Sequence, residues 1–393
     1  MGKARHEYRD VAADAVALPP LQVFRDIFVV PVSEVKKHIA TGGPVWPAFD
    51  RQTLVRHCRD RLAVDMCAPA PQRARPLRHP AIWGGFLNPH FGHLIIEHVT
   101  RLPQSLRERP GDLVLFTLPP GMHEDEVPAH IWALLDWYGV PRRKVRLVTA
   151  PILVAELSVA AQPEMMGKVV PAAAYLDILN AAMARNGMVA EPNAVVFVAR
   201  SGLVARGMGG HIGEGYLCRQ LAALGVKVID PASLPVRRQI EIYAGAKALV
   251  FAEGSAMLGR HVLGFLPQDI HVLRRRPNQD LCAPQLAPRC RHLCYHAVVG
   301  RRLGTEMPSG VNFYNRAVAL YDLPALFAGF LELGIDLSQT WNTDDYRQDQ
   351  SADARAWIKK CTTSAAQVSR NLAILRSEGI DIDHTAAADE RLQ

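Results

Sequence analysis

Short apolar runs of strand length alternate with stretches of helical spacing along most of this chain, and the rhythm is cleanest in its second half. There, Asn193–Arg200 (NAVVFVAR), Val226–Asp230 (VKVID), Ala248–Glu253 (ALVFAE) and Asp269–Arg275 (DIHVLRR) each read as a buried strand. Between them lie predicted helices: GEGYLCRQLAALG, stopped by Gly225; a segment opened by Pro235, whose missing N–H costs nothing at a helix start; and GSAMLGRHVLGF. Four strands with intervening helices predict a doubly wound parallel sheet of about 85 residues.

The first half repeats the rhythm less cleanly. LRHPAIWGGF (from Leu77) is followed by an amphipathic stretch from Pro89 to Leu106. Then come an apolar strand between Gly111 and Pro119, a helix (VPAHIWALLDWYGV) stopped by Gly139, and the strand KVRLVTA. Upstream of a Pro69-Ala70-Pro71 loop the first ~75 residues read as irregular, with one strand at Asp26–Pro31. A helix between Ala172 and Asn186 reads as a bridge, and the tail from Ser338 is polar, then helical from Ala352 to Ser377. The division expected is an α/β domain over 1–165, a bridge over 166–190, a second α/β domain over 191–310 and a helical segment over 311–393.

Composition narrows the class. With 393 residues, 49% hydrophobic and 21% charged, the chain can bury cores and is not disordered. No apolar run approaches the ~20 residues of a membrane helix. The opening MGKARHEYRD lacks an apolar segment behind it, and seven thinly spread cysteines do not make a disulfide framework, so a cytoplasmic protein is expected. The 45 basic and 38 acidic residues leave +7, which favours anionic partners. Arginine dominates the basic residues, as suits phosphate recognition, although an Ala-, Arg-, Gly- and Pro-rich coding bias explains it equally. No basic tract interleaved with aromatics points to nucleic acid.

Candidate chemistry gathers where open α/β sheets bind ligands, at the carboxyl ends of strands. The first strand of the second domain ends in Arg200, with Arg206 six residues on, and the next helix begins at Gly213-Glu214. The third strand runs into Glu253-Gly254-Ser255-Ala256: a ligand-binding turn, or an ordinary βα turn with Ser255 as cap. In the first domain a helix from Pro89 would stack His93, Glu97 and Arg101 on one face, either looking into a cleft or forming an exposed stripe. Gly207, Gly209 and Gly213 do not follow their strand closely enough for a dinucleotide loop. Cys290, His292, Cys294 and His296 alternate on one strand face, and neighbours on a single strand do not converge to a tetrahedron, so buried sulfur and imidazole is the reading there. Glu124-Asp125-Glu126 decorates a helix start, Asp381-Ile382-Asp383 follows no core strand, and Ser255 lacks a Gly-x-Ser-x-Gly elbow. No metal site and no cofactor is expected.

Phe91-Gly92-His93 with Glu97 and Arg101, Val196-Phe197-Val198-Ala199-Arg200, and Ala252-Glu253-Gly254-Ser255-Ala256 together resemble glycosyltransferase family 61, from about residue 80 to about residue 275. Bacterial members of that family are commonly described as capsular polysaccharide biosynthesis proteins. The resemblance implies a GT-B-like architecture, two Rossmann-like domains facing across a cleft, here with a C-terminal helical tail. It also implies inverting transfer from a nucleotide-sugar donor to a glycan or related hydroxyl acceptor, with no metal. His93 and Glu97 match the family's Gly-His…Glu helix, and Arg200 its strand-end arginine. Glu214 matches the Glu of an Asn-Glu pair, preceded here by Gly213. Glu253-Gly254-Ser255 matches a segment that often reads His-Gly-Ala. The resulting expectation is that His93, Glu253 and Glu97 are catalytic, with His93 or Glu253 as base and His93 preferred. Arg200, Arg206, Glu214, Gly254 and Ser255 would bind the donor. The protein would work in the cytoplasm, with peripheral association at the inner face of the membrane. A non-catalytic nucleotide- or glycan-binding protein on the same fold is the alternative, and measurable turnover separates the two. The riskiest expectation is that His93 and Glu253 meet across one interdomain cleft.

Overall fold

Ala246–Ala252 buries six of its seven residues, the signature of a strand covered on both faces, and it lies inside a six-stranded sheet. The spatial order is Lys227–Ile229, Glu191–Val198, Ala246–Ala252, Asp269–Leu273, His292–His296 and Arg5–Arg9. The first five run parallel, as the helical connections require, and Arg5–Arg9 closes the edge antiparallel to His292–His296. The chain therefore winds outward in both directions from Glu191–Val198, and a crevice opens between the carboxyl ends of that strand and Ala246–Ala252. This computed structural model describes residues 5–37, 39–52, 54–59, 61–167, 169–188, 191–277, 279–305, 316–361 and 364–382, without the side chains of 191–193. Asp383 of the Asp381-Ile382-Asp383 run lies outside the described residues.

The second sheet has eight strands and is mixed rather than Rossmann-like throughout. Val145–Leu147, Leu113–Thr117, Ala81–Phe86 and Ile152–Val159 form its parallel part. Gln22–Lys36 then pairs antiparallel to Ile152–Val159, and Ile39–Pro44 antiparallel to Gln22–Lys36. The first ~75 residues are thus not irregular: the strand expected at Asp26–Pro31 extends over 15 residues. Asp26 in left-handed backbone (φ 50°) and the polar outer face hide its alternation in the sequence.

The two sheets share one apolar core. Leu94, Ile95 and Val99 from the first half pack in the same cluster as Met257, Leu258 and Val262 from the second, with Tyr175 and Leu179 of the bridging helix Ala173–Arg185. Arg5–Arg9, expected with the first domain, belongs to the six-stranded sheet. The C-terminal region forms two helices, Thr343–Cys361 and Ala365–Ser377, where one run from Ala352 to Ser377 was expected. The first lies against the ligand end of the six-stranded sheet: Asp353 Oδ2 accepts from the Gly213 N–H (2.8 Å) and the Cys361 thiol donates to the Gly207 carbonyl (2.8 Å). Among the described residues no helix is long and apolar enough to cross a membrane.

A charged brace crosses this apolar seam. Arg289 donates from Nη2 to Glu164 Oε1 (2.7 Å) and from Nη1 to Glu164 Oε2 (2.9 Å), with both side chains buried. Burial alone would raise the Glu164 carboxyl, but Arg289 and then His261 hold it below the usual carboxylate range. Removing one partner of such a pair strands the other in a low-dielectric interior. Glu164→Gln is therefore expected to cost about 3–5 kcal/mol in urea unfolding at pH 7. A cost below about 1 kcal/mol, the level of a surface pair, would show that the seam does not depend on it.

Candidate active site

The His93 segment departs from a regular helix. Phe91–His93 makes a single α turn, and Leu94–His98 widens into a π turn in which the Val99 N–H reaches back five residues to the Leu94 carbonyl (3.0 Å). His93 Nδ1 and Glu97 Oε1 remain 2.8 Å apart, so that pair forms as the spacing predicts. The extra residue turns Arg101 away from them. Its buried guanidinium caps the carbonyls of Val55 (2.8 Å) and Arg56 (3.4 Å) instead of pairing with Glu97. The segment is no exposed stripe: Glu97, His98 and Arg101 are all buried. His93 and Glu97 face a cleft lined also by Trp46, His57, Trp83 and Phe86, beyond the carboxyl end of strand Ala81–Phe86.

Electrostatics in this cleft favour a fixed carboxylate. Burial pushes the Glu97 carboxyl up, but the His93 hydrogen bond and charge, with smaller contributions from His98 and Arg59, hold it below its usual value. Its backbone carbonyl accepts from Gln162 Nε2 (3.0 Å), which fixes the turn from the far side. His57, Glu97 and His98 bring ligand-capable atoms within 4.8 Å of one another. A cation among them would have to displace His93 from Glu97 and face Arg59 Nη2, 3.4 Å from the same carboxylate.

A second cleft lies at the switch point of the six-stranded sheet, lined by Arg200, Asp230, Gln239 and Ser255 from the second half and by Phe91 and His130 from the first. Arg200 follows strand Glu191–Val198, and its Nε donates to the Gly209 carbonyl (2.8 Å). The guanidinium lies directly on Gly254, where a Cβ would push Nη1 aside; the backbone there is extended, so glycine serves close approach and not a left-handed turn. Ser255 begins the 3₁₀ turns Ser255–Val262, which replace the regular helix expected there. Asp230 ends the second strand and caps the following turn through Oδ1 to the Ala232 N–H (2.9 Å). An acid in that position of a doubly wound sheet is a recognisable sequence signal, which the strand-by-strand reading passed over.

The turns bordering the two clefts touch at Gly92. A Cβ there would lie 2.6 Å from Leu258 Cδ1 and 3.5 Å from Ser255 Cβ, so the His93 turn and the Ser255 turn are pressed together. Between them the chain places His93 on one side and Phe91 on the other. The segments carrying His93 and Glu253 adjoin, but the two side chains do not meet across one cleft as expected. Glu253 is buried and points along the sheet: Oε2 accepts from the N–H groups of Arg275 (2.8 Å) and Arg276 (3.1 Å), and Oε1 from Arg276 Nη1 (2.8 Å). Glu214 is likewise internal, accepting the Arg200 N–H through Oε1 beneath the second cleft. Arg206 is exposed at the end of the turn Ser201–Arg206 and lines neither cleft.

Residues 91–263 match the family model for Glycosyltransferase 61. Over that segment the chain is similar to glycosyltransferase family 61. The matched span opens at Phe91 and closes just after the turn Ser255–Val262, so it holds His93, Glu97, Arg200, Asp230 and the Glu253-Gly254-Ser255 run. Among curated proteins none matches the chain. The matched family is one of glycosyltransferases.

Glu214 makes the site's packing pH-dependent. Burial raises its carboxyl to about 7, with the Arg200 N–H and charge opposing and Asp353 adding to the rise. The folded state then holds a proton that the unfolded chain releases near the ordinary value of 4.5. Stability is lost as pH rises between those values and is level above them. Glu214→Gln, which keeps an acceptor for Arg200, is expected to flatten that decline in urea midpoints measured from pH 5 to pH 8. An unchanged slope would place the titration elsewhere.

Proposed function

We propose that this protein transfers a sugar from a nucleotide-sugar donor to a hydroxyl of a glycan or related acceptor, inverting the anomeric centre, in surface polysaccharide biosynthesis. The observation that carries the reading is the contact of Gly92 with Ser255 and Leu258, which sets an acid–base pair and an arginine-lined crevice side by side. The arrangement is read as GT-B-like, with the donor in the switch-point crevice and the acceptor in the cleft of the eight-stranded sheet.

In this reading Arg200 binds the donor diphosphate, the N–H groups around Gly254 and Ser255 adjoin it, and Asp230 takes a ribose hydroxyl. Phe91 and His130 close the crevice from the other half. Glu97 accepts from His93 Nδ1–H and so leaves the lone pair of the neutral ring on Nε2. The acceptor oxygen attacks the anomeric carbon while the bond to the phosphate oxygen breaks. The hydroxyl proton passes to His93, and the departing charge falls to Arg200. Glu253 is a positioning residue that holds Arg276 and the strand end, not the base. No strand-end Asp-x-Asp accompanies the arginines, and transfer is expected to proceed without added Mg²⁺ or Mn²⁺. A net charge of +7 suits an acceptor held at the inner face of a membrane.

Arg200→Ala should weaken nucleotide binding by about 1.5–3 kcal/mol in calorimetry, and Gly254→Ala should reproduce much of that loss by displacing the guanidinium. Unchanged affinity in folded Arg200→Ala would remove the donor assignment. His93→Ala should lower kcat by roughly 10²–10⁴-fold with the donor Kd unchanged, and Glu97→Gln should lower kcat less, as loss of a transition-state interaction requires. Donor binding without turnover or hydrolysis under any acceptor tried would favour a binding protein on this fold instead.

A further inference from the structure

The Arg5–Arg9 edge of the six-stranded sheet gathers five metal-ligating side chains that the proposed transfer does not use. Parallel pairing puts His271 directly beside Cys294, and antiparallel pairing puts Glu7 on its other side. His292 and His296 flank Cys294 at two-residue spacing and therefore share its face. The obstacle to a metal on one strand is that its ligands lie in a line; a ligand from the neighbouring strand turns the line into a triangle. His271, Cys294 and His296 are all buried, and each offers a ligand atom within 4.8 Å of the other two. His271 Nδ1 and His296 Nε2 are 2.9 Å apart with their rings stacked. A second set, Glu7, His292 and Cys294, meets the same distance limit and shares that sulfur.

We propose that His271, Cys294 and His296 bind a zinc ion, with His292 or Glu7 at hand for a fourth position. Tetrahedral zinc with bonds of about 2.0–2.3 Å puts its ligand atoms about 3.3–3.8 Å apart, so the set needs to open by only a few tenths of an ångström between the imidazoles. Three observations fit a built site. Gly329, in the covering helix Leu323–Leu331, leaves room where a Cβ would lie 2.9 Å from His296 Nδ1. Of the two further ligands, His292 Nε2 is buried without a hydrogen-bond partner, and Glu7 Oε1 is held 2.7 Å from the guanidinium of its strand neighbour. Both of those residues are also partly exposed, which gives an ion a path inward. On binding, the Cys294 thiol gives its proton to solvent as the zinc–sulfur bond forms. The cluster lines neither cleft, so the role is structural: it fastens Arg5–Arg9 and the helix Leu323–Leu331 to the sheet edge.

The full chain is equilibrated with excess Zn²⁺ or Co²⁺, desalted and assayed for metal. About one zinc per chain is expected, together with a thiolate-to-cobalt charge-transfer band in the Co²⁺ form. Cys294→Ser should abolish that band. His271→Ala should lower metal affinity at least about tenfold, while Cys290→Ser, whose thiol bonds the Leu286 carbonyl instead, should behave as wild type. Far-ultraviolet dichroism checks that each variant is folded. Wild-type protein that keeps no metal, or keeps it without the charge-transfer band, overturns the proposal and leaves a hydrogen-bonded pair of neutral imidazoles. Equal retention in Cys294→Ser and His271→Ala overturns it as well. None of these readouts depends on sugar transfer.

Discussion

Everything near the site rests on how Arg289 is held. Its guanidinium is inside the protein, and its five donors meet Glu164 from the first half and the carbonyls of Leu263, Gln285 and His261. Its own carbonyl then accepts from Arg260, whose remaining donors take Gln268 and the carbonyls of Leu263 and Gly264. Two buried guanidiniums thus fill the polar needs of the chain just after the turn Ser255–Val262, where neither a regular helix nor a strand would do so. An apolar seam alone would let the two sheets slide; directional bonds to a fixed fork do not.

That fixity explains why glycine stands at Gly92. With the Ser255 turn pinned from behind by Arg260, a side chain at position 92 would press on the Leu258 methyl that fills the contact. The π turn that follows adds one residue of rotation, which sends Arg101 to the Val55 and Arg56 carbonyls and leaves Glu97 to His93.

The sequence was most legible where one period rules. Four strands of the six-stranded sheet, the helix Ala173–Arg185 and the strand-end position of Arg200 follow from buried runs and stop signals. Legibility failed where tertiary contacts override local pattern. Gln22–Lys36 looks irregular because its outer face is polar and Asp26 takes a left-handed turn. The π turn leaves no mark in residue spacing, since His93 and Glu97 stand four apart in either helix. Glu253 looks like a catalytic acid from its place at a strand end, yet the three donors that occupy it come from Arg275 and Arg276, 22 and 23 residues away. The same blindness hid His271 beside Cys294, which register alone reveals.

The switch point also carries a cost that its sequence only hints at. Burial lowers the pKa of Arg275 to about 9, with Arg276 and Arg200 adding to the fall and Glu253 opposing it. Arg200 is lowered for the same first reason, with Glu214 and Glu253 working against Arg276. Glu214, the nearest compensating acid, is itself pushed toward its neutral form at pH 7. Guanidiniums therefore outnumber effective carboxylates in a partly dry crevice, and folding alone gains nothing from that excess. In the proposed reading, a donor phosphate entering beside Arg200 would offset that excess of positive charge. Sites built this way trade stability for binding, and here the Arg289–Glu164 brace lies on the same stretch of chain that must bear the loss.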